Sequence, residues 1–220
     1  MVSLTVVESR IELLDYSPST SIAELADRLN EFRAQPGLMT SFCAMCARCC
    51  YDTIPLFGYD IAGLRALAAE RGERFEDYVV LPTPPSVEAR RRGIRGLERD
   101  GGMGRAEATL IYESNAAEPV TFARNGLGGC RFLDGALCSI YPRRPFACRL
   151  YLCNMGERLE ALYDSIVTQG VWHSYHVMGW IDADEIAHNP FVAEESFADV
   201  ALESFEADLE AAAEDLFFYF

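Results

Sequence analysis

Phe42-Cys-Ala-Met-Cys-Ala-Arg-Cys-Cys50 places four thiols within eight residues of a 220-residue chain, and its reading decides the class of fold to expect. Thiolates packed this closely repel one another unless a cation offsets their charge, and a bound metal supplies that charge while taking the protons off sulfur. The spacing admits two geometries. On a continuous helix Cys43, Cys46 and Cys50 share a face at i, i+3 and i+7, and Cys49 points aside. In a loop, Cys43, Cys46 and Cys49 wrap one centre as the first three thiols of a bacterial ferredoxin run do, and Cys50 faces elsewhere. The adjacent pair then feeds two centres or leaves one thiol for chemistry.

Working outward, the other four of the eight cysteines fall in one further region, at Cys130, Cys138, Cys148 and Cys153. Cys130-Arg-Phe-Leu133 pairs naturally with Leu137-Cys-Ser-Ile-Tyr141 across Asp134-Gly135, which brings Cys130 and Cys138 together. Pro142 breaks the strand, and Arg143-Arg144-Pro145 leads to Cys148 on a turn or short helix. Cys153 also reads simply as a small hydrophobe. An even cysteine count in an exported chain would suggest disulfides. Met1 to Arg10 lack the basic start and apolar run of a secretion signal, however, and Cys-x2-Cys is a metal-ligating spacing. No stretch is apolar for the ~20 residues that a membrane span needs. A soluble cytoplasmic protein that does not engage membranes is the expectation.

The net charge of -15 speaks against a general nucleic-acid binder, since phosphate contacts need clustered Lys and Arg. Arg90, Arg91, Arg92, Arg95, Arg99 and Arg105 form a basic middle segment, and acidic residues gather between Glu194 and Asp215. Both read as solvated faces. Half the residues are apolar, enough to bury one good core.

Ser21-Ile-Ala-Glu24 is a capping-box pattern opening an amphipathic helix on Ile22, Leu25, Ala26, Leu29 and Phe32, which Pro36-Gly37 stops. Asp60 caps a helix carrying Ile61, Leu64, Leu67 and Ala68 as far as Gly72. Leu81-Pro-Thr-Pro-Pro85 forbids regular structure, and Gly101-Gly102-Met-Gly104 reads as a mobile connection. Ala108 to Tyr112 and Val120 to Ala123 are expected to be paired strands. Glu157 to Val167 reads as a helix. From Glu194 a long amphipathic arm carries Phe197, Val200, Phe205, Leu209, Ala212 and Leu216 on one face. The fold class expected is α+β, a small mostly helical domain with one or two β-hairpins around a cysteine metal or cluster site. Residues 1-41 form an N-terminal segment and helix, 42-153 the cysteine domain, and 154-220 a helical region packing on the same body.

Phe42 to Cys50 resembles the YkgJ-like cysteine-cluster family, named for its CxxCxxCC signature and described as chelating zinc or iron. The likeness continues through Ile54-Pro-Leu56, Asp60-Ile61, Cys130-Arg-Phe-Leu133, Cys138-Ser-Ile-Tyr141, Arg144-Pro145 and Cys148-Arg149, and spans roughly residues 42 to 152. It implies Cys43, Cys46, Cys49, Cys50, Cys130, Cys138 and Cys148 as metal ligands. Arg144 and Arg149 would be supporting cations, able to hydrogen-bond thiolate sulfur or an anionic substrate. This chain carries Ala47 where such proteins usually have Gly, and Leu152-Cys153 where they tend to have an aromatic-Pro pair. One branch of the family methylates lysines of flagellin, which would imply S-adenosylmethionine and a protein substrate. The one Gly-rich candidate for that cofactor, Asn125-Gly-Leu-Gly-Gly129, runs directly into Cys130 and reads better as a hairpin approach.

Thiolate-rich sites suit zinc and iron–sulfur clusters alike. A structural zinc finger pairs two short Cys knuckles, and the second block lacks that spacing, so an iron–sulfur cluster of the 4Fe-4S type with a redox or substrate-binding role is favoured. The alternatives are a zinc-stapled interaction module with a protein partner, and a lysine methyltransferase. His173 and His176 share a helix face but read as satisfied or exposed side chains, and His188 sits in a turn before Asn189-Pro190. The chain has no nucleotide loop, nucleophile elbow or dinucleotide fingerprint.

Overall fold

Strands β1 (Val2–Val7) and β2 (Arg10–Tyr16) form an antiparallel hairpin, paired from Val2 opposite Tyr16 to Val7 opposite Arg10. In this computed structural model the described residues are 2–8, 10–33, 47–152 and 154–205. The stop at Pro36-Gly37, the cysteines Cys43, Cys46 and Cys153, and the arm beyond Phe205 lie outside them. Helix α1 (Ile22–Arg33) opens on the expected capping box: Glu24 N–H donates to Ser21 Oγ, and Ser21 N–H donates to the Glu24 carboxylate 2.9 Å away. Its apolar stripe, Ile22, Leu25, Ala26 and Leu29, is fully buried.

After the one-turn helix α2 (Arg48–Tyr51), α3 (Gly58–Arg71) runs to a left-handed Gly72 and buries Ile61, Leu64, Leu67 and Ala68 as their spacing requires. Strand β3 (Val79–Val80) and the irregular Leu81-to-Pro85 stretch lead into α4 (Val87–Gly101), and Gly102 turns the chain into α5 (Arg105–Ala116). Three expectations are corrected here. Ala108 to Tyr112 is helical and not a strand, because the N–H of Gly104 is capped by Glu107 and Tyr112 packs onto Gly93, where a Cβ would lie 2.2 Å from the ring. The Gly101-to-Gly104 linker is a tight turn between two packed helices. The Arg-rich face is also not wholly solvated: Arg90 is buried against Glu113.

Strand β4 (Thr121–Phe122) pairs with β3, in place of the partner expected at Ala108 to Tyr112. The expected hairpin forms in shortened shape, β5 (Leu133–Asp134) and β6 (Leu137–Cys138) turning at Gly135-Ala136 with Leu133 opposite Cys138, and Cys130 lies outside it, bridged to Arg124. Helix α6 (Phe146–Leu150) carries Cys148, and α7 (Glu157–Val177) extends ten residues past the expected end at Val167. It packs along α3, where Gly58 lets the backbone approach the buried His173 and Gly170 makes room for Phe57.

After α8 (Pro190–Ala193) residues 194–201 are not helical, and Leu202–Phe205 forms a single 3-10 turn. The arm's backbone serves α1: Ile22 N–H donates to Val200 O at 3.0 Å, and Leu202 N–H donates to Thr20 O at 2.8 Å. Free N–H groups at a helix start need acceptors, and a helical arm would have spent these carbonyls internally. The architecture is a small, mostly helical α+β domain with short two-stranded hairpins. No helix among the described residues is long and apolar enough to cross a membrane.

Candidate metal centre

Ala47 sets the geometry of the first cysteine block. Its backbone is left-handed, at φ 54 and ψ 6, and α2 starts immediately after it. A continuous helix through Cys43, Cys46 and Cys50 is therefore broken before α2, and the turn aims both Cys49 and Cys50 at one cavity. Cys130 just before the hairpin, Cys138 on β6 and Cys148 on α6 line the same cavity, whose volume is about 60 Å³. A single water needs about 10–15 Å³ by this measure, so the space is several-fold larger than one water requires.

The backbone ties the two blocks together. Cys130 N–H donates to Cys50 O at 2.6 Å. Arg124 donates to Cys50 O at 3.1 Å and to Asp52 O at 2.9 Å, and Tyr151 reaches the Asp52 carboxylate at 3.0 Å. The Asn125-to-Gly129 stretch is a closed turn. Asn125 Oδ1 accepts from Leu127 and Gly129 N–H at 3.0 Å each, and Gly128 is left-handed at φ 80.

Helix α6 is held from below by Asp60. The Phe146 and Ala147 N–H groups both donate to its carboxylate, as does Phe57 at the start of its own helix. The sequence identified Asp60 as a cap for α3 alone. A second role 86 residues away has no local signature, and neither has the bridging by Arg124. Burial pushes the Asp60 carboxyl up to about 6 against those three donors.

The thiols are electrostatically frustrated in the absence of a cation. A hydrogen bond from the Cys50 thiol to Cys49, with burial, pushes Cys50 far above its ordinary range, burial raises Cys130, and burial followed by the Asp60 charge raises Cys148 well above the usual thiol value. The Phe132 backbone N–H and then Arg124 oppose this at Cys130, and Arg144 opposes it at Cys148. Arg144 lines the cavity, rests over the Tyr141 ring at 4.3 Å, and buries an Nε that has no partner. Arg149 pairs with Asp27 on α1 and stands over the Phe146 ring.

Soft sulfur donors from two segments, with neighbouring cations able to stabilise thiolate, fit a thiophilic metal or a cluster. Among the described residues no three His, Cys, Asp or Glu side chains form a complete ligand set, and Cys43 and Cys46 lie outside those residues. The histidines do not contribute: His173 is buried between Tyr59 and Phe191, and burial lowers it to about 4.

A family model described as CxxCxxCC, "putative zinc- or iron-chelating domain", matches residues 42–165. No curated protein and no solved structure gives a significant match.

Proposed function

This chain belongs to the CxxCxxCC family, and on that footing we propose that its two cysteine blocks chelate a metal centre, an iron–sulfur cluster in preference to zinc. The observation that carries the reading is the convergence of five thiols, Cys49 and Cys50 from the first block and Cys130, Cys138 and Cys148 from the second, on one cavity. Cys43 and Cys46 complete the set of seven ligands, and residues 42-153 are the chelating unit on which residues 154-220 pack. The spacing of the second block, eight and ten residues between cysteines, favours a cluster because it offers no second zinc knuckle.

A cluster would supply one-electron redox capacity or a Lewis-acidic iron. The chain's own residues supply the setting. Asp60 fixes α6 and so Cys148, Arg124 locks the two blocks in register, and Arg144 offers its unused N–H to sulfur. Ile54, Phe122, Phe132 and Ile140 keep water off the thiols. A lysine-methylating role receives no support from the comparisons, and the glycines of Asn125 to Gly129 are used in a turn.

The test is anaerobic purification with metal and sulfide analysis and visible spectroscopy. A coloured protein with stoichiometric iron and acid-labile sulfide is expected. A colourless protein with stoichiometric zinc and no sulfide would make the site a structural staple.

A further inference from the structure

A cleft of about 540 Å³ that shares no lining residue with the cysteine cavity opens between α4, α5, α7 and the turn before α8. One of its lining residues, Arg90, belongs to an ion pair withdrawn from water. Glu113 is fully buried and Arg90 is 4% exposed, with Arg90 Nε donating to Glu113 Oε1 at 3.1 Å and Arg90 lying over the Trp172 ring. The second carboxylate oxygen of Glu113 holds His188 Nε2 at 3.0 Å. An ionised carboxylate only accepts, so this bond places a proton on Nε2, and Nδ1 of the half-exposed ring is an acceptor in its neutral form.

The other lining groups repeat that pattern. Gln169 is 4% exposed, and its Oε1 has no hydrogen-bond partner. The Thr109 hydroxyl spends its proton on Arg105 O at 2.8 Å and keeps its lone pairs. Asp184 is exposed and forms no ion pair among the described residues. Of the guanidinium donors, Arg90 is committed to Glu113 with Glu185 nearby, and Arg105 engages Glu98 at 2.8 Å. The acceptors left in the cleft are Gln169 Oε1, the Thr109 oxygen and the Asp184 carboxylate, beside the Ser204 hydroxyl.

We propose that this cleft is a second ligand site, distinct from the cysteines, and that it takes a small organic molecule bearing a protonated primary amine. The ammonium donates to Gln169 Oε1, His188 Nδ1 and the Asp184 carboxylate. The buried Arg90–Glu113 pair acts through His188 by fixing its ring, and is a positioning pair. The volume falls in the range of small-molecule sites, roughly 300–1,000 Å³.

The experiment uses the full chain as purified, with 1,4-diaminobutane, 1,4-butanediol and succinate as probes at matched ionic strength. Binding is followed by calorimetry and by the imidazole NMR signals of the three histidines. The diamine should shift His188 saturably and leave the buried His173 unmoved, while the diol and the dicarboxylate do neither. Gln169→Leu and Asp184→Asn should each weaken the diamine by about tenfold. Gln169→Leu should melt no lower than the parent, because it removes an unsatisfied oxygen. Equal shifts from the diol, binding of succinate, no saturable binding of the diamine, or unchanged affinity in both variants would overturn the proposal. The readout involves no cysteine, so its failure is separable from failure of the metal reading.

Discussion

Ala47 holds a left-handed backbone with a side chain that disfavours it. The methyl group costs about 1–2 kcal/mol in that region, and Gly loses part of the advantage to its greater freedom when unfolded. Ala47→Gly is therefore expected to raise stability by about 1 kcal/mol in the metal-free chain, read as a higher thermal midpoint. A lower midpoint would mean that the methyl's packing in the cavity wall outweighs the strain. The thiols are tested at the same scale. Cys43→Ser and Cys148→Ser should each abolish stoichiometric metal in elemental analysis, whereas Cys153→Ser should keep most of it. Equal retention in all three would separate the two blocks.

Among the elements, α6 depends most on a single remote residue. Asparagine at position 60 keeps one acceptor oxygen for three N–H donors and turns an amide donor toward the others. Asp60→Asn should thus cost about 2–3 kcal/mol in chemical denaturation and weaken metal binding through Cys148. An unchanged denaturation midpoint would show that the donors find other partners. The elements with strong local signals were legible in the sequence: α1 from its capping box, α3 from its period and Gly72, the β5–β6 hairpin from its turn. Those decided by partners were not. Thr109, Leu110, Ile111 and Tyr112 look like a strand, yet Glu107 at the helix start and the groove over Gly93 make them α5. Glu194 to Phe205 has a helical stripe, but its carbonyls are claimed by the start of α1. The hairpin pattern placed Cys130 near Cys138 and the family resemblance joined the two blocks, while Asp60 and Arg124 act across distances that no local pattern encodes.

For the molecule as a whole, two buried titrations oppose each other. Asp60, raised from 3.8 to about 6, binds its proton more tightly when folded, so its contribution is complete below pH 4 and is lost as the pH rises through 6. His173, lowered from 6.5 to about 4, must stay neutral, so its contribution is present above 6.5 and is lost as the pH falls through that window. Each is worth about 3 kcal/mol, and the two nearly cancel. Between pH 4 and 6 the metal-free chain should show a flat stability profile. His173→Leu, which also removes an unpartnered buried Nδ1, should leave a profile that falls with rising pH. A profile that stays flat in the variant would refute the balance.

Cys148 touches both of the larger hydrophobic clusters, the one built on α1, β2 and α7 and the one built on α3, β3 and the β5–β6 hairpin. Cys49 packs against the first cluster and Cys50, Cys130 and Cys138 belong to the second. An ion bound across this seam is a rivet between two halves that could otherwise open on their own. Native-state hydrogen exchange should then find two sets of amides with different opening free energies in the chelated-out protein, merging into one cooperative unit when the metal is restored.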